Sequence, residues 1–248
     1  MMLTRIQTTF LVFVLFVFSS CSSVYMPNVP NTPMLSSQGE LSAGGHVSLK
    51  GNVSVNAAYA AGNHLGILLN GSIMNNRGSK REFNHNLIEA GAGYFTPFGE
   101  GDRQIFEVYA GFGRGSSLTT RKEATPTGVT VTEQQDVGFR KYFMQVNYSA
   151  KDKDGFQLFG KKIELNYGTA LRLSYVDMNR FLLNNQAHAP EDNIFFEPVF
   201  FTRTALSKNV QLQYTGSTNL GLRNRKYLTA GNSIFTLGIV VNVGGNRP

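Results

Sequence analysis

A chain of 248 residues with one cysteine cannot form an internal disulfide, so its fold is not a stapled scaffold. Charged residues make up only 16% of it, against roughly 25% in soluble domains, while glycine and phenylalanine are plentiful and tryptophan is absent. The net charge is +7; in an exported chain that balance points to anionic lipid or lipopolysaccharide phosphate as partner, and away from nucleic acid.

Export is read from the start of the chain. Residues 10–18 of "FLVFVLFVFSSCSS" form an unbroken apolar run behind a short segment whose only charge is Arg5. The run is too short for a spanning helix, which needs about 20 residues. It has no polar stripe of the kind a core helix shows. Basic start, apolar middle and small residues at the end describe a secretory signal peptide over residues 1–20. The sequence Phe18-Ser19-Ser20-Cys21 resembles the motif at which bacterial lipoproteins are cut and acylated, with Phe18 where Leu is usual. That resemblance makes Cys21 the lipidation site, carrying palmitate or a related acyl chain. Residues 21–38 then read as a lipid-attached extended tether, because three close prolines exclude helix and central strand.

From residue 39 to 245 the recurring signal is alternation at period two between turn residues, which predicts strands. Ten are expected, near 40–49, 51–60, 64–75, 83–96, 103–116, 137–149, 163–177, 194–205, 209–219 and 232–244. Most reach the roughly 9–11 residues that a tilted strand needs to cross a bilayer. In "QIFEVYAGFGR" one face carries Phe106, Val108, Ala110 and Phe112, and the other Glu107, Tyr109, Gly111 and Gly113. The connections mostly alternate between tight and long, with 117–136 and 178–193 among the long ones. That is the plan of an outer-membrane barrel with short periplasmic turns. An even strand number puts both termini on the periplasmic side. Two features fit less well: the connection around "KDKDGFQLFGKK" is long, and Pro198 calls for a bulge or a strand boundary.

The fold class is therefore all-β, an antiparallel up-and-down barrel of about ten strands. The apolar face should point outward, since its long side chains would overfill a ten-strand lumen and the other face is rich in Gly, Ala, Asn and Gln. By parity the lumen then holds Glu89, Glu107, Lys141, Arg172, Glu197 and Arg203, three acids and three bases suited to pairing. Eight-stranded barrels are filled by side chains and ten strands lie near that closed end, so a general porin is disfavoured. In the loops, Arg77, Lys80 and Arg81 form one basic cluster and Arg223, Arg225 and Lys226 another, both suited to lipopolysaccharide phosphate. His46, His64, His85 and His188 show no metal-ligand spacing, and His46 and His85 look misplaced for a shared site. No metal, cofactor or catalytic residue is expected.

Taken in order, "VYMPNVPNTPMLSSQGE", "AYAAGNHLGILLNGS", "ALRLSYV" and "FFEPVFFTR" resemble small outer-membrane β-barrel lipoproteins of Bacteroidota. The resemblance spans most of the chain. It implies a barrel in the outer membrane of a Gram-negative bacterium and brings no known activity. The expected role is structural or binding rather than enzymatic. Two alternatives stay open: a lipid-tethered periplasmic barrel of lipocalin type with an apolar ligand inside, and an outer-membrane enzyme acting on lipid.

Overall fold

The computed structural model describes residues 24–126, 128–158, 161–229 and 233–244, with the side chains of 152–164 and 234 left aside. The signal peptide and Cys21 lie outside the described residues. The ten barrel strands are β1 (Leu41–Ser48), β2 (Asn52–Ala60), β3 (Leu65–Arg77), β4 (Arg81–Phe98) and β5 (Gln104–Thr125), followed by β6 (Gly128–Leu158), β7 (Lys161–Leu183), β8 (Asp192–Ala205), β9 (Val210–Ser217) and β10 (Ile234–Val243). Every neighbouring pair is antiparallel, and β10 returns to β1 with Leu41 opposite Val243, which closes the ring. Two short pairings, Gln186–Ala187 on β7 and Leu220–Gly221 on β8, extend the wall. Closure leaves no open edge, the condition for a sheet to lie in lipid.

The number and order of strands follow the sequence periodicity, but β5, β6 and β7 run much further. The stretch 117–136, expected as a loop, is a continuous β5–β6 ladder from Ser117 opposite Val137 to Thr125 opposite Gly128. Its Thr- and Val-rich alternation favours strand even where both faces are exposed. Most of the loop expected after β7 is likewise ladder, and β7 continues to Leu183. A bulge makes this possible: Phe139 lies opposite Met178 and Gly138 opposite Arg180, so Asn179 is the extra residue. The long connection after β6 also closes as a ladder, with Leu158 opposite Lys161.

Pro198 produces no bulge. It sits in register opposite Leu171 of β7. On its other side the β8–β9 ladder ends with Ser217 opposite Val199 and resumes with Leu220 opposite Phe196. The missing N–H thus falls where the ladder lapses, at Thr218 and Asn219.

Alternation sorts the two faces. Ile67, Leu69 and Ile73 of β3, Met144 and Val146 of β6, and Leu237, Ile239 and Val241 of β10 are among many large apolar side chains exposed on the outer wall. Glu89, Glu107, Lys141, Arg172, Glu197 and Arg203 all lie inside and buried. Glycines on the inner wall admit aromatic rings between strands. A Cβ on Gly111 would stand 2.3 Å from the Ala90 carbonyl oxygen and 2.6 Å from Cζ of Phe143. At Gly45, on the outer wall, a Cβ would meet nothing within 4 Å.

That contrast is testable by urea unfolding in detergent micelles. Gly111→Val should cost about 1–3 kcal/mol or block folding through overpacking. Gly45→Ala should stay within about 0.5 kcal/mol. Similar effects at both sites would mean that the Phe143 ring is not wedged against Gly111.

Candidate functional site

The lumen is not filled by wall side chains alone. Val24, Tyr25, Met26, Asn28, Val29, Asn31, Thr32, Met34 and Leu35 are all buried inside the barrel, none more than 5% exposed. Most of the segment read from the sequence as an extended tether leading to the barrel is a plug inside it. Pro27, Pro30 and Pro33 recur every third residue. This spacing favours an extended, polyproline-like course with no internal backbone hydrogen bonds. Backbone carbonyls buried in that state need partners from elsewhere.

The wall supplies them. Asn56 Nδ2 donates to the Val29 carbonyl at 3.3 Å. Gln145 Nε2 and Asn147 Nδ2 donate to the Asn31 carbonyl at 2.7 and 3.3 Å. Arg203 donates to the carbonyls of Thr32 and, at 3.4 Å, Pro33. Glu107 accepts from the Leu35 N–H at 3.2 Å. Tyr25 Oη donates to Glu197 Oε1 at 2.8 Å, and its ring packs against Phe139 and Phe195. Met34 has a positive φ of 62°, and just beyond it Ser36 N–H bonds to the Glu40 carboxylate at 2.8 Å. The plug therefore ends in a fixed bend beside the start of β1.

The lumen is layered. At the long-loop mouth Val24 and Tyr25 join Leu87, Val137, Phe139, Val176, Met178, Phe181, Phe195 and Leu228 in an apolar cluster. At the short-turn mouth Leu35 packs with Ala58, Ala60, Leu68, Phe95 and Tyr109, while Met34 packs with Ile105 and Phe201. Glu89, Lys141, Arg172 and Glu197 lie between these two seals, whereas Glu107 stands beside Leu35 and Tyr109 of the short-turn one.

The six charged residues expected there do not all pair. Lys141 Nζ stands 2.8 Å from Glu89 and 3.3 Å from Glu197, and Arg172 stands 3.1 Å from Glu89. Arg172 Nε also donates to Gln145 at 2.7 Å, with its guanidinium over the Phe143 ring. Glu107 and Arg203 meet no partner of opposite charge within ion-pair distance among the described residues. Glu107 instead accepts from Leu35, Asn147 and Tyr109, and Arg203 donates to the plug and to Gln213. Parity found these residues but could not foresee that their partner is the plug. The overlooked signal was composition: a solvated tether has no use for Tyr25, Val29, Met34 and Leu35.

The remaining expected sites lie outside the lumen or form no cluster. Arg77 and Lys80 are exposed at the β3–β4 turn, and Arg81 lies over the Phe83 ring. Arg223 and Arg225 both bind Asp192, the latter at 2.5 Å, so their guanidinium groups are already engaged. Lys226 is exposed, and its backbone N–H bonds to Glu191 at 3.1 Å. His46 and His85 both face the lumen in different surroundings, His46 beside Asn31, Arg203 and Gln213 and His85 stacked between Phe83 and Phe139. No group of three or more His, Cys, Asp or Glu side chains among the described residues could hold a metal ion. Beside the plug a cavity of about 10 Å³ remains, lined by Asn31, Thr32, His46, Arg203 and Gln213 among others. It is no larger than one water-sized sphere.

Removing one member of a buried ion pair strands its partner and typically costs about 3–5 kcal/mol. Lys141→Met should do so, with part of the loss recovered by adding Glu197→Gln. Arg223→Ala, which breaks a half-exposed pair, should cost under about 1 kcal/mol. Denaturant unfolding in micelles checks both; equal small effects would place the Lys141 cluster in contact with water.

No family model matches the chain. No curated protein matches it either. Among solved structures it is similar to the translocator domain of autotransporter NalP from Neisseria meningitidis, with TM-score 0.45 and 12% identity over 82% of this chain and 85% of that one. It is also similar to a chain of the FpvAI–pyocin S2 complex, with TM-score 0.23 and 8% identity over 85% of this chain and 42% of that one.

Proposed function

We propose that the chain is an outer-membrane β-barrel lipoprotein, acylated at Cys21, whose closed lumen serves a structural or binding role rather than transport. One observation carries this reading. The ten-strand ring is apolar on its outside and polar and filled on its inside. In water the outer face would be a continuous apolar belt far beyond the few hundred Å² tolerated on soluble monomers. In a bilayer the same face is solvated by lipid.

The interior argues against the periplasmic alternative. A barrel that carries an apolar ligand needs an apolar hollow, and here the middle of the lumen holds Glu89, Lys141, Arg172 and Glu197 together with the plug. Among the described residues, Glu89, Lys141, Arg172 and Glu197 are committed to one another, which gives the enzyme alternative no support from that cluster. Of the two basic clusters, Arg77 and Lys80 are the better phosphate contacts, since Arg223 and Arg225 already share Asp192.

Three measurements test this. Labelled palmitate should enter the wild type and not Cys21→Ala, and equal labelling of both would end the lipoprotein reading. After an alkaline carbonate wash, Cys21→Ala should still sediment with the membrane; a soluble, folded product would favour the periplasmic barrel. In planar bilayers the wild type should show no steady conductance, and large stable channels would contradict a closed lumen.

A further inference from the structure

We propose that the lumenal plug carries the start of the mature chain through the barrel to the long-loop mouth. The N-terminus is then displayed at the cell surface, and an acyl group on Cys21 enters the outer leaflet of the membrane. This rests on the outer-membrane lipoprotein reading and departs from the expectation that the N-terminus stays on the periplasmic side.

The direction of the plug is set by its neighbours. Leu35 lies against Ala60 and Leu68, where β2 turns into β3 at the short-turn rim. Met26 packs with Met74 and Phe83, near the opposite ends of β3 and β4. Val24 reaches the cluster of Val137, Phe181 and Leu228 at the long-loop mouth. The twelve residues 24–35, extended at about 3.1 Å each, cover about 34 Å. The hydrocarbon core of a bilayer is about 30 Å thick. One passage of the plug thus crosses the whole membrane inside the barrel.

The placement is a matched register. Apolar Val24 and Tyr25 sit in the apolar layer at one mouth, Asn31 and Thr32 in the polar middle, and Met34 and Leu35 in the apolar layer at the other. Sliding the plug by a few residues would put apolar side chains among the charges. The short turns mark the periplasmic rim of such barrels. On that rule Gly39 and Val243 stand at the periplasm and Val24 at the outside. Only Ser22 and Ser23 separate Cys21 from Val24, three Cα steps with a reach of about 10 Å. That is too short for the acyl group to return to the inner leaflet.

Membrane-impermeant maleimide applied to intact cells tests the inference on the full chain. Ser23→Cys reports the N-terminus, His188→Cys the long-loop rim and Lys208→Cys the short-turn rim, with the parent chain as baseline. Ser23→Cys and His188→Cys should label on intact cells at least tenfold above Lys208→Cys, which should need permeabilised cells. An epitope inserted between Ser23 and Val24, read with antibody on intact and permeabilised cells, gives the same answer if the thiol is shielded. Labelling at 188 with the residue-23 thiol and the epitope both hidden until permeabilisation overturns the inference and leaves the outer-membrane barrel standing. Labelling at 208 alone inverts the barrel and overturns surface display. No labelling at any site on intact cells overturns the outer-membrane reading itself.

Discussion

An extended chain with no strand beside it can be buried only if something else bonds to its backbone. That requirement organises the interior of this protein. The plug brings several carbonyls and the Leu35 N–H into a space closed at both mouths, and each unpaired group there would cost about 1–3 kcal/mol. Asn56, Gln145, Asn147, Arg203 and Glu107 answer that demand from four different strands. The prolines help from the other side. They remove three N–H donors and restrict the unfolded segment, so less needs to be satisfied and less entropy is lost on ordering.

The charges follow from the same constraint. Two apolar layers keep water from the middle of the lumen, so any ionised group there needs a counter-charge or several hydrogen bonds. Glu89, Glu197, Lys141 and Arg172 form a neutral set through direct pairs. Glu107 and Arg203 are of opposite sign but are satisfied separately, one by donors around Leu35 and the other by acceptors on the plug and Gln213. The balance of these charges suits an interior closed off from water behind a wall whose outer face is apolar. The glycines complete it: they let Phe143 lie close to the wall, where its face supports the Arg172 guanidinium.

How much of this was legible in the residues depends on the length scale of the signal. Period-two alternation is local and strong, so Phe106, Phe112 and Leu171 went to the outer face and Glu107 and Arg172 to the inner one. Strand ends were less legible, because exposed Thr-rich ladders such as 117–136 lack an apolar face to mark them. The plug was illegible to alternation for a physical reason. It has no period-two pattern, since its neighbours surround it on all sides and every side chain is buried. Only the apolar content between its prolines hinted at that.

The separation in sequence between the partners also constrains how the interior forms. Tyr25 and Glu197 are 172 residues apart, and Arg203 is 171 from Thr32. Closing so long a loop costs entropy that grows only as the logarithm of its length. Plug bonds to β2 close over only 27 residues, as at Asn56, whereas those of Tyr25 and Thr32 are complete only once β8 is in place. The bend at Met34 to Glu40 ties the plug to β1, and β1 is the strand that meets β10 to close the ring. Seam closure and plug seating are thus mechanically linked. The strand that completes the wall is the one tied to the segment that fills it.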